Sequence, residues 1–357
     1  MRKQRRVLFL YSLMITMVAT LSVLAISLRP EGGWTPLLKQ EWEARFGSRT
    51  LPLEPLVAPT PQEPSYQIKA SFDRATNLVH GQATVTLPEL RVDEIPFYLY
   101  VNGTGAMQVH DVKLNGQPAQ VTATEKQVTV HAAKSAAVQT VTFAFETKLP
   151  ASPARTGTWK GVSTVSYWYP ILAVERNGAW VPRPDGLGFG DPFLMDLGNY
   201  AVEWNAPSGM QWFASGVKTS ETPQADGRTV TTWQAEKVRN FALVGGTGFQ
   251  VAEFDTGTGT HVYVGTLDAA NLQKAYDLAG SAVKTYSTRV GIDPYPVLNV
   301  LELPQGTVYA HELPNMALFS QDLWKYRDAD HWIAHEIGHA WFYNAVGNYE
   351  AETPWLD

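Results

Sequence analysis

The chain has no cysteine, which excludes a disulfide framework, a cysteine-based zinc site and a cysteine nucleophile. Any metal it holds must therefore be held by His and carboxylates. Charge is also scarce. Asp, Glu, Lys and Arg make up 17% of the 357 residues, against about 25% in an average soluble domain. With 45% hydrophobic residues, disorder over most of the length is excluded, and the length suits two domains rather than one. A formal net charge of −6, with no basic block in the body of the chain, gives nucleic acid no electrostatic footprint. No internal repeat is visible. The lack of thiols suits an exported protein without requiring one.

One long uncharged run is present. Arg2, Lys3, Arg5 and Arg6 precede residues 7–28, which carry no charge, and Arg29 stands alone beyond them. As a helix the run is about 33 Å long, enough for a hydrocarbon core of about 30 Å. The asymmetry of basic residues puts the N-terminus inside and everything after Pro30 outside. Residues 1–29 are thus expected to be a cytoplasmic basic tip and a transmembrane signal-anchor. The alternative is a signal peptide cleaved near Val23-Leu24-Ala25, with secretion. Residues 30–65 follow as a juxtamembrane linker. In it Leu38, Trp42 and Phe46 have amphipathic helical spacing, and Pro52, Pro55, Pro59, Pro61 and Pro64 favour an extended, semi-rigid spacer.

From Tyr66 to Phe249 the pattern is one of short alternating runs, such as Tyr66-Gln67-Ile68-Lys69-Ala70-Ser71-Phe72 and Thr140-Val141-Thr142-Phe143-Ala144-Phe145. Such runs mark half-buried strands. Asn115-Gly116 and Asp226-Gly227 supply the residues that tolerate positive φ in tight hairpins. Residues 66–249 are read as an all-β sandwich or saddle. Tyr167-Trp168-Tyr169-Pro170 is read as core rather than a sugar-stacking platform, and Asp191 and Asp196 as turn residues rather than a calcium site. His80, His110, His131 and His261 are read as polar strand residues, not ligands.

After Phe249 the pattern becomes α/β. His261-Val262-Tyr263-Val264 and residues 297–303 read as strands. Residues 269–290 read as an amphipathic helix closed by Gly291. A last helix is expected to start near Asp328 or Asp330 and to end near Gly347. It carries His335-Glu336-Ile337-Gly338-His339. Residues four apart differ by about 40° around a helix, so both imidazoles project from one face and can share a cation. Glu336 is displaced by about 100° and lies beside the metal, placed to take a proton from a water that zinc brings toward a pKa of about 7. Ile333, Ile337 and Trp341 form an apolar stripe that buries the same helix.

The run His335-Glu336-Ile337-Gly338-His339-Ala340-Trp341-Phe342-Tyr343-Asn344-Ala345-Val346-Gly347-Asn348, with Glu352-Thr353-Pro354-Trp355-Leu356-Asp357 after it, resembles the zinc-binding segment of the membrane alanyl aminopeptidase family of gluzincin metallopeptidases. Phe241-Ala242-Leu243-Val244-Gly245 is similar to the end of that family's N-terminal β-saddle. Tyr286, Gly291 and Pro294-Tyr295-Pro296 resemble its approach to the catalytic core. The fold class this implies is multidomain, β plus α/β: a transmembrane helix, an all-β saddle (66–249) and the first part of a thermolysin-like zinc peptidase domain (250–357). The resemblance implies His335 and His339 as ligands of one zinc ion and Glu336 as general base, acting on peptide substrates. The third ligand of that family is a Glu separated from the second His by eighteen residues, which here are residues 340–357, so it is expected just after Asp357. Activity is accordingly expected to require sequence beyond that point. The alternative is a catalytically inactive, membrane-anchored binding or scaffold protein that keeps a peptidase-like fold. Tyr309-Ala310-His311-Glu312-Leu313-Pro314-Asn315-Met316 resembles the family's substrate-binding strand and keeps only its Glu, so the resemblance implies Glu312 as the anchor of a substrate's free amine. Exopeptidase against endopeptidase action and oligomeric state are left open by the sequence.

Overall fold

Tyr66, Ile68, Ala70 and Phe72 alternate with Gln67, Lys69 and Ser71. In the computed structural model they occupy strand Ser65–Asp73, with the first set buried. The structure describes residues 63–87, 92–102, 106–132, 139–183, 193–291, 293–350 and 353. Strand Ser65–Asp73 lies inside an eight-stranded sheet. It pairs antiparallel with Leu78–Thr86, with Ile68 opposite Ala83, and parallel with Gly198–Pro207. The expected hairpin turns are present: Asn115 and Gly116 both have positive φ (50° and 78°), as does Gly227 (79°). Among the described residues two four-stranded sheets and a two-stranded one, Glu175–Arg176 with Ala179–Trp180, complete the β-rich part.

Its core is aromatic. Phe72, Phe97, Phe143, Phe145, Trp168 and Trp204 are fully buried, and Trp168 donates from Nε1 to the Phe241 carbonyl at 2.8 Å. Tyr167, Trp168 and Tyr169 thus belong to the core and present no platform. His80, His110, His131 and His261 each sit beside a carboxylate on the surface. Asp196 pairs with Arg176 at 3.0 Å, and Asp191 lies outside the described residues.

The second part is a five-stranded mixed sheet in the order Gln250–Asp255, His261–Thr266, Val297–Leu303, Met316–Ser320, Ala310–Leu313. The central three strands are parallel, so the first crossover needs a long connection. Helix α1 (Ala269–Arg289) supplies it, capped by Asp268, whose carboxylate accepts from Ala270 N. Every residue of Val297–Leu303 is buried. Leu298 and Val300 pack with α1, while Leu301 and Leu303 join the aromatic core of the β-rich part. Coverage on both faces accounts for apolar residues on both sides of this strand, interrupted by the buried Asn299 and Glu302. The described residues form one compact unit.

Helix α2 (Ala329–Gly338) is shorter than the sequence pattern suggested, stopping at Gly338 rather than near Gly347. Beyond it the chain curls back. Asn344 N donates to His339 O, Val346 N donates to Trp341 O, and Tyr343 takes a φ of +89° that no helix accommodates. The side chain of Arg239, from the β-rich part, fixes this turn by donating to Tyr343 O and, at 2.8 Å, to Met195 O. Asp328 occupies the N-cap without a capping bond and instead accepts from Trp332 Nε1 at 3.1 Å. Ile333, Ile337 and Trp341 are buried as one stripe. Among the described residues no helix is long and apolar enough to cross a membrane. The uncharged run 7–28 and the proline-rich tether lie outside the described residues.

Candidate metal centre

His335 and His339 lie on the last turn of α2 and its first residue beyond, and the four-residue spacing brings their Nε2 atoms to 3.1 Å. Two ring nitrogens this close share either a proton or a cation. His339 is buried and His335 stands exposed at the mouth. His339 Nδ1 lies 3.2 Å from Phe342 O. A carbonyl can only accept, so Nδ1 carries the proton and Nε2 is left with its lone pair toward His335. Although its outer edge meets solvent, partial withdrawal of the His335 ring from water, and then the neighbouring His339 ring, lower its pKa below the ordinary value, toward the neutral form a metal ligand needs.

Glu336 is buried with one oxygen 4.0 Å from His339 Nε2. His335, Glu336 and His339 place one ligand atom each within 4.8 Å of one another. The fit to zinc can be tested on these distances. At an ordinary Zn–N length of about 2.0–2.1 Å, a tetrahedral ion separates two imidazole nitrogens by about 3.3 Å, close to the 3.1 Å found. Imidazole nitrogens are donors that zinc accepts, and the Glu336 carboxylate lies beside them rather than between them. The residues fit the group.

Gly338, within the motif, is needed for packing. A Cβ there would lie 2.6 Å from Tyr286 Oη of α1. Tyr286 in turn stacks on Trp341, with ring centroids 5.2 Å apart, and Trp341 donates to Gly291 O at 3.2 Å. The two helices thus close on each other directly behind the histidine pair.

Glu312 lies on the outermost strand of the sheet, opposite Ala317, which packs with the helices. This puts its carboxylate on the α2 side, with Oε2 3.9 Å from His339 Nε2. The strand therefore does bring Glu312 to the histidines. What the sequence did not reveal is its partner. Arg155 Nη1 and Nη2 donate to Glu312 Oε1 and Oε2 at 3.1 and 3.3 Å, and Nη1 also donates to the Glu312 main-chain carbonyl at 3.3 Å. Burial works to raise the Glu312 pKa, but Arg155, with help from His339, outweighs it and holds the carboxyl at about 2. His311, pointing to the other face opposite Leu318, is buried with neither ring nitrogen hydrogen-bonded. Beyond the turn, Asn315 donates to Ser215 O and accepts from Asn344, each at 2.7 Å, tying the segment after α2 to the β-rich part. No motif announced Arg155, Asn315 or Asn344. Glu350 is buried outside the histidine group, and Glu352 and Asp357 lie outside the described residues.

No family model matches the sequence, and no curated protein matches it. Solved structures do. A two-domain M1 zinc metallopeptidase, crystallised as a glutamate-to-alanine mutant bound to L-arginine, matches with a TM-score of 0.60 and 17% identity over 79% of this chain and 65% of that one. An M1 zinc metallopeptidase from Deinococcus radiodurans matches with a TM-score of 0.58 and 18% identity over 80% of this chain and 65% of its own. The chain has the fold of M1 zinc metallopeptidases. At these identities the likeness is one of fold, and this chain spans 65% of the length of the structures it matches.

Proposed function

We propose that this chain is the zinc-binding part of a metallopeptidase that hydrolyses peptide bonds. The observation that carries the reading is the convergence of His335 and His339 Nε2 at 3.1 Å beside the buried Glu336, in a fold shared with zinc metallopeptidases. His335 and His339 would hold the ion. Bound there, zinc supplies Lewis acidity and brings the pKa of a water to about 7. Glu336, with an oxygen 4.0 Å from His339 Nε2, accepts the proton lost from the attacking water and returns it to the leaving amine. Strand Ala310–Leu313 is the outermost of its sheet, so its outer main-chain groups can take an extended peptide as a further strand. The same proposal includes the division at residues 29, 65 and 249, with the domains held outside the membrane by residues 7–28.

Replacing Glu336 by Gln in a chain that hydrolyses peptides should lower turnover by about 10²–10⁴-fold while leaving the zinc content unchanged. Undiminished turnover would end the mechanism. A second reading, a membrane-anchored binding or scaffold protein, is favoured by one observation. Among the described residues, the group able to hold a cation contains two imidazoles and Glu336, a weaker grip than three dedicated ligands. One tightly held zinc per 357-residue chain would contradict that second reading.

A further inference from the structure

We propose that Arg155 is a specificity-determining residue: by engaging both oxygens of Glu312 it removes the negative charge that would select a substrate's free ammonium, so the cleft takes peptides whose N-terminal side is uncharged, either chain-internal or acylated. The inference deepens the peptidase reading and rests on it for the word substrate. Its structural content is independent of catalysis.

The carboxylate of Glu312 stands between the guanidinium and His339 Nε2, 3.9 Å from the latter. Left alone there, a buried carboxylate would be a strong attractor of cations, because charge is poorly screened away from water. Here both of its oxygens are taken by a planar fork matched to them, and a third bond to the Glu312 carbonyl fixes the approach of that fork. An ammonium seeking the same oxygens would sit beside a like charge. Nor is Arg155 a loosely held surface cation. Its side chain is 23% exposed, and its main-chain carbonyl accepts from Ser166 Oγ at 3.2 Å. Thr156 donates to Ser166 O at 2.9 Å. At Gly157 the loop folds so tightly that a Cβ would lie 2.6 Å from Ser152 O. A side chain from the β-rich part is thus held against Glu312, beside His339, by a built loop.

The test is a pair of matched probes, L-leucinamide with its ammonium and N-acetyl-L-leucinamide without it. Binding to the zinc-loaded full chain is measured by ligand-observed NMR. Replacing Arg155 by Gln should shift the affinity ratio of the two by about tenfold or more toward leucinamide. Replacing Glu312 by Gln leaves the guanidinium uncompensated and should shift the ratio by a similar factor the other way. If R155Q does not fold, as judged by circular dichroism, E312Q carries the test. A folded variant with the wild-type ratio overturns the proposal, as does the absence of detectable binding of either probe to any of the proteins. Failure to hydrolyse any peptide, with the two shifts intact, counts against the peptidase reading alone.

Discussion

Glu302 shows how much the five-stranded sheet depends on one buried carboxylate. It is fully buried near the end of strand Val297–Leu303. Its Oε2 accepts from Leu267 N at 2.7 Å, Asp268 N at 3.1 Å and Gln321 Nε2 at 3.3 Å. Its Oε1 accepts from Asn271 Nδ2 at 2.6 Å and Trp324 Nε1 at 2.7 Å. Every partner is a donor, so an amide can satisfy only one side. In Glu302→Gln the carbonyl would keep Leu267 and Asp268, and the new NH₂ would face the Asn271 and Trp324 donors. Two buried donors then lose their acceptor, at about 1–3 kcal/mol each. Release of a buried charge offsets part of this, and the net loss expected is about 3 kcal/mol, about 150-fold in the folding constant. Urea unfolding should show a lower midpoint with an unchanged slope. Trp324→Phe should cost about 1–2 kcal/mol in the wild type and much less in the E302Q background, because the bond it removes is already gone. A loss below about 0.5 kcal/mol for E302Q, within the range of an ordinary surface change, would refute the reasoning.

Three further outcomes can be measured, two drawn from the site and its surroundings and one from the uncharged run near the N-terminus. His335→Gln or His339→Gln should abolish zinc retention after dialysis while Glu336→Gln keeps it, and equal metal content in all three would remove His335 and His339 from the ligand set. His311 is held neutral, chiefly by burial and secondarily by Arg155, with a pKa lowered from 6.5 to about 3. The unfolded chain therefore binds a proton there that the folded chain refuses. His311 leaves stability at its full value above pH 6.5 and lowers it progressively as the pH falls toward about 3. His311→Leu should flatten that acid limb and stabilise at neutral pH by about 1–3 kcal/mol, the cost of a buried unbonded donor, and a destabilised variant at both pH 4 and pH 7 would contradict this. The full chain should stay in the membrane pellet after alkaline washing and be released when residues 1–29 are removed; recovery of the intact chain in the wash would dismiss the anchor.

The legible parts of this chain are those set by short periods. Alternation at Tyr66, Ile68, Ala70 and Phe72 fixes which face of a strand is buried, and the interval from His335 to His339 fixes which face of a helix carries the imidazoles. Both are local geometry, readable without knowing the neighbours. The early end of α2 was not legible, because residues 339–347 carry no strong helix breaker before Gly347. What stops the helix is Arg239, which reaches Tyr343 from about a hundred positions away and holds a backbone conformation that local propensity disfavours. The role of Glu302 is not legible for the same reason: its five donors come from two segments distant in sequence, 267–271 and 321–324.

The pairing of Arg155 with Glu312 carries that lesson into the cleft. Polar ties join the β-rich part to the five-stranded sheet at both ends of its parallel strands. Arg155 meets Glu312, Asn315 donates to Ser215 O by the start of strand Met316–Ser320, and Trp159 Nε1 and Lys160 Nζ both donate to Gln305 O at 3.0 Å beyond the end of Val297–Leu303. The β-rich part is therefore one wall of the site and not a separate support for it. His335, Glu336 and His339 lie within five residues at the end of α2, so their geometry is set by the helix and by the Tyr286 packing behind Gly338. In the proposed reading, the charge that a substrate would meet beside His339 is instead set by the loop before Gly157, in a different sheet system. Substitutions in that loop can change which peptide ends are accepted while the histidine pair stays in place. Two chains with the same histidine–glutamate–histidine spacing can for that reason differ in substrate class.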